Sequence, residues 1–135
     1  PVFVEGCYDD AADTLQRAAA IWSGSVTRCS SDTRCKIHLA SVLACNFTNH
    51  LWTLAEQLLA GDAIPFDILK PLIRQTAAKI EQVSPQEAQT GPARRHDTRT
   101  IDRHIEMTAG NPLLKQIYSL LSQSISATYP ENGLR

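Results

Sequence analysis

The 135-residue sequence lacks the short motifs that identify the commonest enzyme families. It contains no G-x-G-x-x-G dinucleotide turn, no Walker loop, no G-x-S-x-G elbow and no H-E-x-x-H pair. No Ser or Cys stands in a sequence context that marks an activated nucleophile. The chain alone is therefore not predicted to be a competent enzyme.

Charge is balanced, with 13 basic and 14 acidic residues and a formal net charge of -1. This balance argues against nucleic acid or an anionic membrane as the main partner. A hydrophobic fraction of 43% and a charged fraction of 20% are typical of an ordinary globular protein. The length suits one domain, or one small domain with the remnant of another.

The four cysteines show no spacing typical of a secreted disulfide framework, and we predict a reducing, cytoplasmic setting. A zinc site built from Cys29, Cys35, His38 and Cys45 is a minor alternative. Because no C-x2-C or C-x4-C pair occurs, no metal is predicted.

Residues 1–29 differ in pattern from the rest of the chain. An apolar run ending at Gly6, an alanine-rich segment with acidic residues in its first turn, and a second short apolar run predict strand–helix–strand. Two strands do not make a stable sheet alone. We therefore expect residues 1–29 to be the edge of an α/β domain whose earlier strands are not in this chain, and the absence of an initiator Met fits a fragment or processed product.

From Ser30 onward the sequence predicts helices. A long helix should begin near Ser30 and reach Gly61, and the next should follow Pro65, with Pro71 kinking it or delaying its start. Residues 84–97 form a predicted loop with at most one helical turn, residues 98 to about 109 a helix capped by Asp97 or Thr98, and residues 112–128 the last helix. We predict a helical domain over 30–128 and a flexible tail over 129–135.

The stretch from Ile37 to Ala55 contains no charged residue. On a continuous α-helix, one face is an apolar stripe of Ala40, Leu43, Phe47, Leu51, Leu54 and Leu58. The opposite arc carries Cys45, His38, Asn49, Val42, Thr53 and Asn46. Seven polar side chains argue against a membrane span, so we expect both faces to be covered, one by the core and one by another domain, a subunit or a ligand. Alternatively, the polar groups only tie helices together.

A second polar group lies in the loop at residues 88–97. Here Gly91 and Pro92 fix the backbone, and Thr90, Arg94, Arg95 and Asp97 add a hydroxyl group, two cations and a carboxylate. Arg95 is suited to hold an anionic substrate or a cofactor phosphate through two hydrogen bonds. The alternative is an Arg–Asp pair that pins the loop and caps the next helix.

Three segments, "HLASVLACNFTNHLWTLAEQLL", "PFDILKPLIRQTAAKI" and "AQTGPARRHDTRTIDRHI", resemble the C-terminal half of an uncharacterised bacterial family of Rossmann-like oxidoreductases. That family is similar in layout to pyrroline-5-carboxylate reductase and the 6-phosphogluconate dehydrogenase superfamily. The resemblance implies a mainly α fold, a helical bundle around one long central helix, preceded by a remnant of a Rossmann-type domain.

The resemblance also implies a function. An N-terminal domain absent from this chain would bind NADP or NAD, and the helical domain would form a homodimer and line the cleft for a small-molecule substrate. Hydride transfer to or from a small carbonyl or imine is the expected reaction. A non-catalytic helical dimerisation or ligand-binding module is the alternative.

By position, the resemblance implies two sets of site residues. The catalytic set is His38, Asn46 and Asn49, with His38 as a proton donor or orienting group. The substrate-binding set is His50, Thr90, Gly91, Arg95 and Asp97. His96 stands where the family typically has a glycine, so the backbone there departs from the family pattern.

Overall fold

The computed structural model describes residues 1–131. Its strands are β1 (Val2–Val4) and β2 (Val26–Arg28). Its α-helices are α1 (Asp9–Ala20), α2 (Ser31–Ser41), α3 (Thr48–Ala60), α4 (Lys70–Lys79), α5 (Pro85–Ala88), α6 (Thr98–Met107) and α7 (Pro112–Thr128). A π-helical turn (Val42–Phe47) joins α2 to α3, and 3-10 turns cover Phe66–Leu69 and Ala93–Arg95. The predicted mainly α fold with a strand–helix–strand remnant is confirmed.

The chain divides into two compact units, the first of which is Pro1–Ala55. In this unit β1 and β2 pair in parallel, with Val2 opposite Val26 and Val4 opposite Arg28. Helix α1 connects them and contacts both strands, burying Ala12 and Ala19. Parallel neighbours require such a crossover, so the apolar–helical–apolar pattern of residues 1–29 was sufficient to predict this strand–helix–strand arrangement.

The long helix begins where the sequence predicted. The Ser30 side chain caps α2 by accepting a hydrogen bond from the Thr33 N–H. Glu5, just after β1, accepts hydrogen bonds from the Ser31 N–H at 2.9 Å and the Ser31 Oγ at 2.6 Å. These contacts fix the start of α2 to the end of β1.

The second unit begins at Glu56, within α3. Pro71 lies in the first turn of α4, after the 3-10 turn, so the predicted delay of this helix is confirmed. Asp97 caps α6, as predicted, and Asn111 caps α7 by accepting from the Leu114 N–H. The predicted domain boundary at residue 29 and the flexibility of the tail stay predictions, and residues 132–135 lie outside the described residues.

Large apolar side chains remain exposed in both units. Six of the described residues are buried, five of them apolar and one polar: Val4, Ala12, Ala19, Leu54, Ala93 and Thr108. No described helix is long and apolar enough to cross a membrane.

Candidate functional site

The four polar candidates on the long helix occupy three successive segments. His38 lies on α2, Asn46 in the π turn, and Asn49 and His50 in the first turn of α3. All four residues are exposed. Within residues 1–131 none of their side chains takes part in a hydrogen bond, so none of them ties two of the described helices together in this way.

The π turn changes which side chains share a face. A π turn adds one residue relative to an α-helix, and the Thr48 Oγ1 donates to the Leu43 carbonyl, five residues back, at 3.3 Å. The downstream face is thereby offset by roughly one residue, about 100°. The arcs predicted for one continuous α-helix therefore do not carry across Val42–Phe47.

The predicted catalytic residues line two different hollows on this helix. Asn46 and Asn49 line one of about 570 Å³, together with Ala44, Cys45 and Trp52. No charged side chain lines it. His38 lines another of about 450 Å³, with Ser31, Arg34, Cys35, Leu39 and Val42. The structure thus brings the two asparagines together and gives His38 a different setting, while His50 lines neither of these two hollows.

The predicted apolar stripe of the long helix is mostly uncovered. Leu43 is 56% exposed and Phe47 55% exposed, whereas Leu54 is buried. The expectation that this chain's own core covers the stripe is wrong for most of its length, because the described elements place too few apolar side chains against it.

The loop of residues 84–97 lies in the second unit and begins with a capping box. The Ser84 Oγ accepts from the Glu87 N–H at 3.3 Å, and the Glu87 carboxylate accepts from the Ser84 N–H at 3.1 Å. The hydrogen bonds from Ser84 lower the pKa of Glu87. Gly91 has a φ of +107°, a backbone conformation that glycine adopts without strain.

Asp97 is engaged in capping α6. Its carboxylate accepts from the Thr100 N–H at 3.0 Å and the Thr100 Oγ1 at 2.7 Å. These hydrogen bonds, and then the nearby charges of Arg95 and Arg99, lower the pKa of Asp97. Its carboxylate is therefore already satisfied within the fold, which favours the capping interpretation over direct substrate binding.

The remaining loop candidates, Thr90 and Arg95, are exposed. Arg95 takes part in no ion pair among residues 1–131. Within residues 1–131 the loop thus presents a hydroxyl and a guanidinium that make no side-chain hydrogen bond or ion pair closer than 4 Å.

Sequence reasoning missed the role of Tyr129, which it placed in a flexible tail. The Tyr129 ring lies under the guanidinium of Arg94, 4.4 Å from it, and its hydroxyl donates to the Gln86 carbonyl at 2.8 Å. Tyr129 also contacts His96, which adopts a left-handed backbone conformation with φ of 53°.

Comparison with known proteins found a matching family and a similar crystal structure. Residues 1–125 match the family model described as Domain of unknown function (DUF2520). The chain is similar to the crystal structure of a "putative NADP oxidoreductase" from Bacteroides fragilis, with 42% sequence identity and a TM-score of 0.86 over 93% of this chain. The chain spans 48% of the length of that protein. No curated protein matches it significantly.

Proposed function

The chain belongs to the Domain of unknown function (DUF2520) family, and we propose that it is the substrate-cleft and dimerisation half of an NAD(P)-dependent oxidoreductase. The observation that carries the proposal is the likeness, at 42% identity, to about half of a protein named as an NADP oxidoreductase. The expected reaction is hydride transfer to or from a small carbonyl or imine.

The residues of this chain do not fit the pyrophosphate of a nicotinamide cofactor. In dinucleotide-binding folds a glycine-rich turn after a strand brings the pyrophosphate to a helix N-terminus. Here the first turn of α1 carries Asp9 and Asp10, and the start of α2 is already occupied by the Glu5 carboxylate. Both would repel a phosphate, so the proposal assigns the cofactor to a nucleotide-binding part outside this chain.

The polar residues of the long helix are suited to the substrate side of the site. The hollow with Asn46 and Asn49 offers two amide groups without any charge, which matches a carbonyl or imine better than an ionised group. In this proposal the asparagines orient the carbonyl or imine through their amide groups. His38, which lines a separate hollow, is proposed as a group that donates or orients a proton. Arg95, in the second unit, is proposed to bind an anionic group.

The exposed apolar stripe supports the proposal of a homodimer. Leu43 and Phe47 of this stripe, and Leu39 one turn before Leu43, are each more than half exposed. They lie in a stretch that carries no charge for nineteen residues. Isolated soluble chains rarely leave such a patch uncovered. We propose that a second copy of the chain covers it, since an apolar stripe opposite its own copy needs no charge complementarity.

A non-catalytic helical module is the alternative, and the exposed apolar stripe favours it equally. Asn49→Leu separates the two hypotheses, with Gln57→Leu on the same helix as a matched control. The experiment uses this chain joined to a nucleotide-binding half, and it measures NADPH oxidation with a panel of small carbonyls and imines. The oxidoreductase proposal predicts that Asn49→Leu keeps the fold and the dimer but lowers the rate of NADPH oxidation at least tenfold. A change in association or stability alone, with turnover kept, would support the module instead.

A further inference from the structure

The C-terminal end of α7 is fastened to the loop of residues 84–97 at several points. The Tyr129 hydroxyl donates to the Gln86 carbonyl at 2.8 Å, near the start of the loop. The His96 Nε2 lies 2.5 Å from the Tyr129 carbonyl oxygen, near the loop's end. One residue thus holds both ends of the loop.

Two further contacts hold the middle of the loop. The Arg94 guanidinium lies over the Tyr129 ring, 4.4 Å from its centre, in a cation–π arrangement. The Ser126 Oγ donates to the Ala93 carbonyl at 3.1 Å, and Ala93 is buried. The 3-10 turn at Ala93–Arg95 is therefore held by the end of α7 in addition to its own backbone hydrogen bonds.

The contacts of Tyr129 and Ser126 with the loop place the two adjacent arginines in different surroundings. Arg94 is half-buried against the Tyr129 ring, whereas Arg95 is exposed. His96 follows in the left-handed conformation and turns the chain into α6, where Asp97 is held by Thr100. Arg95 is thus the guanidinium of this pair that stays available to a ligand.

We propose that Tyr129 is the positioning residue of this loop, fixing Arg94 and the loop backbone so that Arg95 can bind the anionic group of a substrate, a carboxylate or a phosphate. This inference rests on the proposed function of the same loop and deepens it by naming the substrate's charged group. With the backbone at Arg95 already fixed, less conformational freedom is lost when its guanidinium binds an oxyanion.

The test uses the 135-residue chain, with inorganic phosphate as the probe. Side-chain Nε–Hε resonances report on the arginines, and amide hydrogen exchange reports on residues 84–97. We expect phosphate to shift the Arg95 resonance, and Tyr129→Leu to raise the half-saturating phosphate concentration at least threefold. The same change should speed loop exchange at least tenfold and remove the ring-current shift of Arg94.

Three further variants keep the test decisive. Tyr129→Phe retains the ring, so it should keep the Arg94 shift while speeding exchange near Gln86. Arg95→Gln should abolish the phosphate response with loop exchange unchanged. The exposed Tyr8 provides a matched control, since Tyr8→Leu should change neither readout.

Unchanged loop exchange and phosphate half-saturation in Tyr129→Leu would overturn the positioning role. Failure of phosphate to move the Arg95 resonance in the parent chain would overturn the ligand assignment. Neither result bears on cofactor use, which NADPH binding tests separately.

Discussion

Three carboxyl groups in the molecule share one arrangement, each near the start of a helix. Glu5 accepts from Ser31, Glu87 from Ser84 and Asp97 from Thr100, in each case from a backbone N–H and a hydroxyl group. Donors aimed at a carboxylate favour its ionised form, so these bonds lower all three pKa values. The hydrogen bonds at these helix starts therefore depend on pH through the ionisation of the three carboxyl groups.

The first prediction concerns acid stability. Because the pKa of each group is lower in the folded chain than in the unfolded one, the stabilisation is present above the unfolded values, at about pH 5 and higher. It is lost as pH falls below the unfolded values and through the lowered folded values. Urea unfolding between pH 7 and pH 3 should show this decline.

Asp97→Asn is the matched variant for the acid-stability measurement, since an amide oxygen still accepts a hydrogen bond but does not titrate in this range. Its stability should fall less steeply below pH 5 than that of the parent chain. Identical pH profiles for the two chains would contradict the role given to Asp97.

The second prediction concerns the turn between β1 and α1. A Cβ atom added at Gly6 would lie 2.4 Å from the Ala12 backbone nitrogen, so Gly6→Ala must displace α1. We expect a loss of about 1–3 kcal/mol in the free energy of unfolding. A Cβ at Gly24 meets no atom within 4 Å, so Gly24→Ala should change stability by less than about 1 kcal/mol. Equal effects of the two substitutions would show that the close approach is absent.

At the scale of elements, local residue chemistry made several features predictable. Asp97 and Asn111 cap helices because their short side chains reach the free N–H groups of the first turn. Pro71 lies where its missing N–H has no cost. The strand–helix–strand unit followed from its apolar runs and its alanine-rich connection.

The π turn and the fastening of the loop were not predictable in the same way. No residue type marks a π turn, since its extra residue is stabilised by surroundings that a single sequence does not reveal. The contacts of Tyr129 join residues up to 43 positions apart, and helical periodicity carries no information on such pairs. The sequence-based site residues remain predictions for the same reason.

The third prediction tests the π turn. Deleting Ala44 should convert the turn to regular α-helix and leave α3 close to its present orientation relative to α2, because the deletion removes the extra residue that the turn accommodates. Far-UV circular dichroism and the dimer dissociation constant should change little. A second alanine inserted after Ala44 should instead rotate α3 by about 100° and raise the dissociation constant at least tenfold. Ala44→Ser keeps the length and should leave both readouts unchanged. An unaltered dissociation constant after the insertion would mean that the turn does not set the apolar face.

At the scale of the whole molecule, the fourth prediction concerns association. Light scattering after size-exclusion chromatography should give twice the 14.9 kDa chain mass. Leu43→Asp introduces a charge on the exposed stripe and should yield monomers, whereas Gln57→Asp, at an exposed polar position of α3, should not. A monomeric parent chain would contradict the dimer proposal.

An NADPH fluorescence titration is the sharpest test of the proposed cofactor assignment. This chain would be compared with a polypeptide in which the remaining part of the Bacteroides fragilis neighbour precedes Pro1, with that neighbour itself as the positive control. We expect saturable binding by the joined polypeptide and none by this chain, because Asp9 and Asp10 repel a pyrophosphate at the start of α1. Equal binding by the isolated chain, or no binding by the joined polypeptide when the control binds, would contradict this assignment.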